Sequence, residues 1–305
     1  MHIAPDPRFA RPRTLFFGVG AQKAATSWLD AYLRTHPEIC MPVRKEQHYW
    51  STLADVGGLD RVGRARKKIA KIEARPFWGR LTRSARRRRV DRAWRLSERM
   101  LTDRKGDHAA YADVLFQAWK GEPVVGEVTP AYALLDAGTF AEMAGLNADT
   151  RFVLIMRDPA ARLVSGVNMN VRKDRPKDGS DFSTRLAAAL ADPQDAGVLR
   201  SRYDLTIQRL ERAAPRERIC YLFFETLFRQ EEVDRLADFL GVARRPADFG
   251  SKVNAARSGG AKASAEEIAQ AVETLAPAYE FVRARFGDAV PPSWRQPAAA
   301  LAAAV

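Results

Sequence analysis

Unbroken apolar runs alternate along this chain with stretches of helical periodicity. Thr14-Leu15-Phe16-Phe17 and Arg151-Phe152-Val153-Leu154-Ile155-Met156 carry the β-branched and aromatic bias of buried strands. With three shorter runs they predict strands at about 13–19, 38–41, 123–126, 151–157 and 218–224. Between them, apolar positions recur every three to four residues, as in Trp28, Leu29, Tyr32 and Leu33, a helix that stops at His36-Pro37 because proline cannot continue it. Ser264-Ala265-Glu266-Glu267 fits a capping box opening a last helix at about 264–287, which ends near Gly287. Alternating strands and helices predict an α/β fold, a three-layer α/β/α sandwich around a central parallel sheet of about five strands. No internal repeat is evident, and residues 1–305 fit a single domain.

The polar positions gather where strands end. After the first strand, Gly18-Val19-Gly20-Ala21-Gln22-Lys23-Ala24-Ala25-Thr26-Ser27-Trp28 passes through small residues into a helix start. Such a loop lets backbone N–H groups approach an anion, while Lys23 adds a point charge and Thr26 and Ser27 add hydroxyls. It is P-loop-like without being a P-loop, whose lysine directly follows glycine and adjoins a metal-binding hydroxyl. Here Lys23 comes three residues after Gly20, and two alanines separate it from Thr26. After the fourth strand, Arg157-Asp158-Pro159 offers Asp158 as an N-cap and Pro159 as the first helical residue. Arg162, Ser165 and Met169 then share a helix face by spacing. An arginine at the carboxyl end of a parallel strand, with a serine on the next helix, lies where open α/β sheets bind ligands. Arginine presents a planar fork to a phosphate and Ser165 one hydroxyl. Together the two stretches read as a clamp for a nucleotide carrying phosphates at both ends.

With the residues between them, these motifs resemble the sulfotransferases that use 3'-phosphoadenosine 5'-phosphosulfate (PAPS), and more narrowly bacterial relatives of the Golgi heparan sulfate sulfotransferases. Gly20 to Ser27 is similar to that family's 5'-phosphosulfate loop, with Lys23, Ala24, Ala25, Thr26 and Ser27 as the donor contacts this implies. Arg157-Asp158-Pro159 with Arg162 and Ser165 resembles its 3'-phosphate motif. Lys45-Glu46-Gln47-His48-Tyr49-Trp50 resembles its lysine-glutamate-x-histidine-aromatic element, and Gly126-Glu127-Val128-Thr129-Pro130-Ala131-Tyr132 its glutamate-x-threonine-proline-x-tyrosine segment. The likeness is looser beyond about residue 170. Residues 218–225 resemble the last core strand, implying Tyr221 on the adenine side, and Lys252-Val253-Asn254 opens a late covering loop that implies Arg257. Ala24-Ala25 stands where relatives often have glycine and Gln47 where many have proline, which implies a slightly different backbone there.

The resemblance implies transfer of a sulfuryl group from PAPS by in-line displacement, with 3',5'-bisphosphoadenosine (PAP) as product and no metal. The acceptor is a hydroxyl or amine of a saccharide, glycolipid or other lipid. Such chemistry needs a base for the acceptor's proton, a cation at the leaving phosphate oxygen, and reactants held in line. Lys23 is the candidate cation. Glu46 is the candidate base, because relatives place a glutamate there and desolvation raises a carboxyl's pKa towards neutrality; His48 is the rival, having the side chain that ordinarily titrates nearest pH 7. Lys45 reads as a solvated lysine or a second cation. Glu127 either orients an acceptor or holds its loop, and the turn at Thr129-Pro130 favours the second.

Charge adds a further element. The chain carries a net +13, and residues 61–105 alone hold eighteen Lys and Arg against Glu73, Asp91, Glu98 and Asp103. Val62, Ala65, Ile69 and Ile72, then Val90, Trp94, Ser97 and Leu101, recur at helical spacing, so a basic helical insertion is expected at about 54–118, with Phe77 and Trp78 between its helices. It serves as an electropositive acceptor gate, docks on anionic lipid, or is a solvated basic face; nucleic acid is the lesser fit. Two cysteines, four scattered histidines and no apolar signal core or spanning run point to a cytoplasmic enzyme, peripheral at most on the inner membrane face. Two other classes stay open: a nucleotide or small-molecule kinase, and a non-catalytic polyanion- or membrane-binding protein acting through residues 61–105.

Overall fold

A computed structural model describes residues 4–58, 60–74, 84–103, 105–174, 181–250 and 261–303. Five strands, β1 (Thr14–Gly20), β2 (Ile39–Cys40), β3 (Val124–Val128), β4 (Thr150–Met156) and β5 (Ile219–Phe223), form one parallel sheet in the order β2-β3-β1-β4-β5. Every residue of these strands except Arg151 is buried, because helices cover both faces of the sheet. That is why the strands appear in the sequence as continuous apolar runs rather than alternations. Pairing of Gly18 with Val128, Gly20 with Leu154 and Met156 with Phe223 aligns the carboxyl ends along one edge.

Helix α1 (Thr26–Arg34) follows β1, and α2 (Tyr49–Leu53) follows β2. The basic insertion supplies α3 (Arg61–Glu73) and α4 (Ala85–Thr102), and α5 (Ala109–Leu115) leads into β3. Helix α3 packs on α4 and α4 on α5 through Ala65, Ile72, Met100 and Leu101, all buried. The expected face is therefore the packed one; Phe77 and Trp78 lie outside the described residues. Helix α6 (Ala137–Ala144) precedes β4, while α7 (Pro159–Asp174), α8 (Phe182–Ala191), α9 (Ala196–Leu199) and α10 (Tyr203–Ala213) separate β4 from β5. The chain closes with α11 (Gln230–Leu240), α12 (Ala265–Thr274), α13 (Ala276–Phe286) and α14 (Pro297–Ala303).

One expectation needs correcting. The span 264–287 is two helices, with the Ser264–Glu267 capping box in place but a break at Leu275. Pro277 has no N–H to continue the first helix and sits instead in the first turn of the second.

Candidate active site

The small residues after β1 turn the chain sharply into α1. Lys23 and Ala25 are left-handed, with φ of 73° and 58°, and Ala25 is an N-cap without a side-chain bond. Glu46 and His48 are left-handed too, at 57° and 59°, so four of the six such non-glycine residues among the described ones lie at this edge of the sheet. Left-handed backbone is unfavourable for residues with a Cβ and persists where the surroundings fix it.

The two halves of the clamp touch. Arg157 Nη1 donates to the Lys23 carbonyl oxygen at 3.2 Å, and the Arg157 guanidinium lies 4.9 Å from the centre of the Phe224 ring. Burial lowers the pKa of both Lys23 and Arg157, and for Lys23 repulsion from Arg157, Arg172 and Arg162 adds to it. Two partly desolvated cations near one another, Arg157 partly offset by Glu225 and Asp158, suit the binding of an anion. Asp158 caps α7 as expected, its Oδ1 accepting from Ala161 N at 2.9 Å, while its own N–H donates to Glu225 at 2.8 Å. Burial, with Glu225 contributing, pushes the Asp158 carboxyl up to about 6.

Thr26 is buried at the start of α1. Ser27 Oγ accepts from Lys45 Nζ at 2.8 Å, and the same ammonium reaches Glu46 Oε1 at 3.0 Å. Lys45 is thus a bridge from the phosphate loop to the candidate base, not a solvated lysine. His48 Nε2 lies 3.4 Å from Glu46 Oε2. Desolvation alone would raise the Glu46 carboxyl, but His48 and Lys45 together outweigh it and hold it down to about 2. The expected upward shift is therefore reversed in the free protein, and Glu46 is ionised throughout the physiological range.

Glu127, 1% exposed, accepts from four groups: Tyr111 hydroxyl at 2.6 Å, Tyr132 hydroxyl at 2.8 Å, Thr129 hydroxyl at 2.5 Å and Gln47 N–H at 3.1 Å. The Gln47 N–H also reaches Thr129 Oγ1 at 3.0 Å, so the residue between Glu46 and His48 is pinned from below. A proline at position 47 would have no N–H to donate there. Arg44, one residue before Lys45, stacks on Trp94 at 3.3 Å and donates to Ser97 at 2.6 Å, which ties this loop to α4 of the insertion.

The remaining sequence candidates are dispersed. Ser165 is half-buried on α7 and its side chain makes no hydrogen bond among the described residues, while Arg162 on the same helix is fully buried. The Tyr221 hydroxyl donates to Glu211 at 3.1 Å and its ring meets Phe286 edge-on, so its contacts face α10 and α13 rather than the clamp. Arg257 lies outside the described residues, as do Lys252-Val253-Asn254. A feature not anticipated is an aromatic path joining the clamp's halves: Phe224 meets Phe228 edge-on at 5.6 Å, Phe228 meets Trp28 at 5.3 Å, and Trp28 stacks on Phe249 at 5.7 Å. Phe228 and Phe249 are 41% and 37% exposed, the exposed large apolar residues of the described chain. Trp28 beside Ser27 was the available sequence signal.

A parallel sheet with a cationic loop after its central strand, a second cation after the neighbouring strand and a carboxylate beside them is an arrangement suited to an anionic ligand at the carboxyl ends of the strands. The sequence profile of the sulfotransferase family matches residues 16–246, and the chain belongs to that family. The fold agrees: a sulfotransferase from Alicyclobacillus acidocaldarius is similar over 94% of this chain and 100% of its own, at 24% identity and a TM-score of 0.65. The sulfotransferase domain of the Synechococcus PCC 7002 olefin synthase is similar over 88% of this chain and 96% of its own, at 17% identity and a TM-score of 0.49. No curated protein matches the chain. The protein is therefore a sulfotransferase, and the kinase and non-catalytic readings give way to it. Among the described residues, no three His, Cys, Asp or Glu side chains gather as a metal site, and no helix is long and apolar enough to cross a membrane.

Proposed function

We propose that the enzyme transfers a sulfuryl group from PAPS to a hydroxyl or amine of a saccharide, glycolipid or other lipid acceptor. The observation carrying this reading is the junction of Lys23 and Arg157, two desolvated cations in contact through the Lys23 carbonyl, with an aromatic path running between the segments that bear them. PAPS fits such a site: phosphate-bearing groups at both ends suit the cations, and a purine suits stacking on Trp28 or Phe228. When bound, it supplies an activated sulfuryl group on a good phosphate leaving group.

The chain's own residues do the rest. Lys23 neutralises charge developing on the leaving oxygen. Arg157 and Ser165 hold the 3'-phosphate. Glu46 accepts the acceptor's proton, with His48 orienting its carboxylate from 3.4 Å. Lys45 is shared between Ser27 and Glu46, so anionic charge at the loop draws its ammonium away and lets the Glu46 carboxyl rise from about 2 towards the ordinary range. Tyr221 and Arg257, which the family resemblance assigns to the nucleotide, are lesser candidates.

A further surface favours peripheral contact with anionic membrane. Beside α4, a groove of about 780 Å³ is lined by Arg8, Arg11, Arg88, Arg89, Arg92 and Arg99 around Leu96, Phe116 and Trp119, with Asp113 its acidic residue. Basic residues over an aromatic floor suit phospholipid headgroups. Sedimentation with phosphatidylserine vesicles, but not phosphatidylcholine vesicles, is the expected result.

Titration with PAP and with ATP–Mg tests the donor: PAP should bind at least tenfold more tightly, and the reverse order would remove the proposal. Sulfur-labelled PAPS incubated with a fractionated extract should then place label in the saccharide or lipid fraction.

A further inference from the structure

Strand β4 ends at Met156, which leaves the main-chain groups of Arg157 outside the sheet ladder. One hydroxyl closes both of them: the Tyr203 Oη accepts from the Arg157 N–H at 3.2 Å and donates to the Arg157 carbonyl at 2.8 Å. The turn that follows is held in the same way. The Tyr279 Oη donates to Asp158 Oδ1 at 2.8 Å and accepts from the Ala160 N–H at 3.2 Å. Both phenols are buried, Tyr203 at the start of α10 and Tyr279 on α13. Buried main-chain polar groups require partners, and here two side chains supply what a neighbouring strand cannot.

Neither phenol is free to swing. Trp294, fully buried in the short turn Pro292–Trp294, stacks on Tyr203 at 6.2 Å and meets Tyr279 edge-on at 6.1 Å. The same indole meets Phe223, the last residue of β5, edge-on at 5.4 Å. A tyrosine ring locked in this way has few torsions left, so its oxygen is a fixed point. From the backbone so fixed, the Arg157 guanidinium reaches the Lys23 carbonyl and the Phe224 ring, while the Asp158 N–H is tied to Glu225. Tyr203 is 46 residues from Arg157 in the chain, and Tyr279 and Trp294 lie beyond residue 246, where the match to the family ends.

We propose that Tyr203 is a positioning residue for the nucleotide: it fixes the backbone of Arg157 so that the guanidinium meets the 3'-phosphate without rearrangement, and Tyr279 and Trp294 hold the same turn from the C-terminal segment. This rests on the sulfotransferase reading above and deepens it. A donor held ready avoids the ordering cost of binding, and that gain falls on the 3'-phosphate alone. A tyrosine that only packs would instead change the affinity for every nucleotide alike.

The test titrates the full chain with PAP and with adenosine 5'-monophosphate, which lacks the 3'-phosphate. Tyr203→Phe keeps the ring and removes the hydroxyl; it should weaken PAP by about five- to tenfold, the scale of a hydrogen bond, and leave the monophosphate within twofold. Tyr279→Phe, one step further from the guanidinium, should show the same split at about three- to fivefold. In an Arg157→Ala background, Tyr203→Phe should weaken PAP by less than twofold more, because no guanidinium is left to place. Thr206→Val deletes another buried hydroxyl of α10, which donates to the Ala133 carbonyl at 3.0 Å, and should leave PAP affinity within twofold. Unchanged PAP affinity in Tyr203→Phe, equal weakening of PAP and the monophosphate, or a full loss repeated in the Arg157→Ala background overturns the proposal. Should Tyr203→Phe fail to fold, Tyr279→Phe decides by the same comparison. Failure of the wild-type chain to bind PAP removes the sulfotransferase reading first and the inference with it, whereas tight PAP binding without the split removes the inference alone.

Discussion

Two carboxylates in neighbouring motifs live under opposite conditions. Glu127 is buried and held by three hydroxyls and a backbone N–H, while Glu46 is 38% exposed and faces only Lys45 and His48. Burial raises the Glu127 pKa, whereas the cations pull that of Glu46 down to about 2. A carboxylate enclosed by donors from four positions is a fixed point. One at a cleft, on a left-handed residue pinned by that fixed point, is the carboxylate proposed as base. The difference teaches that the conspicuous acid of a site need not be its chemical one: Glu127 positions Gln47, and Gln47 positions Glu46 and His48.

Several substitutions would break or sharpen this contrast. Glu46→Gln should lower kcat by about 10²–10⁴-fold, some 3–5 kcal/mol of barrier, at unchanged thermal midpoint. Glu127→Ala leaves buried donors unsatisfied and should reduce stability by about 3 kcal/mol, read as a denaturant midpoint shift, with transfer lost as the loop is released. A stable but inactive Glu127→Ala would instead make Glu127 chemical and end the contrast. Arg157→Ala should weaken PAP by about 10–100-fold in a direct titration, the scale of charged hydrogen bonds.

Asp158 gives a pH signature. Its folded pKa, about 6, lies above the ordinary 3.8, so its contribution to stability is complete below about 4 and is lost as pH rises through 6. Asp158→Asn keeps a capping oxygen, so it should be more stable than wild type by about 1–2 kcal/mol at pH 7.5, with the gain gone at pH 4. Smallest of all, Ala25→Gly relaxes a left-handed residue at the expense of chain entropy and should shift stability by less than about 1 kcal/mol.

How much of this was legible in the sequence follows from what is local. The five strands stood out because burial on both faces writes continuous apolar runs, and the clamp motifs because each sits within a dozen residues. Spacing placed Arg162 and Ser165 on one helix face but not which way that face turned, and packing buried Arg162 completely while leaving Ser165 at the edge. The Glu127 cluster was illegible because Gln47, Tyr111 and Tyr132 meet only after the sheet and α5 assemble. The sign of the Glu46 shift needed Lys45 and His48 in three dimensions, since desolvation and ion pairing oppose each other there. The break at Leu275 was legible in Pro277 and was overridden by the capping signal upstream.

The most direct test of Glu46 as the base is the pH dependence of kcat/KM for the labelled acceptor at saturating donor, measured from pH 7 to pH 5 in the Asp158→Asn background, where the group near 6 is gone. A carboxylate held near 2, or relaxed towards its ordinary range of about 4, stays ionised across that window, so kcat/KM should change less than about twofold. A fall of about tenfold or more across that window would show a base that gains a proton there, contradict the assignment to Glu46 and move the base to His48.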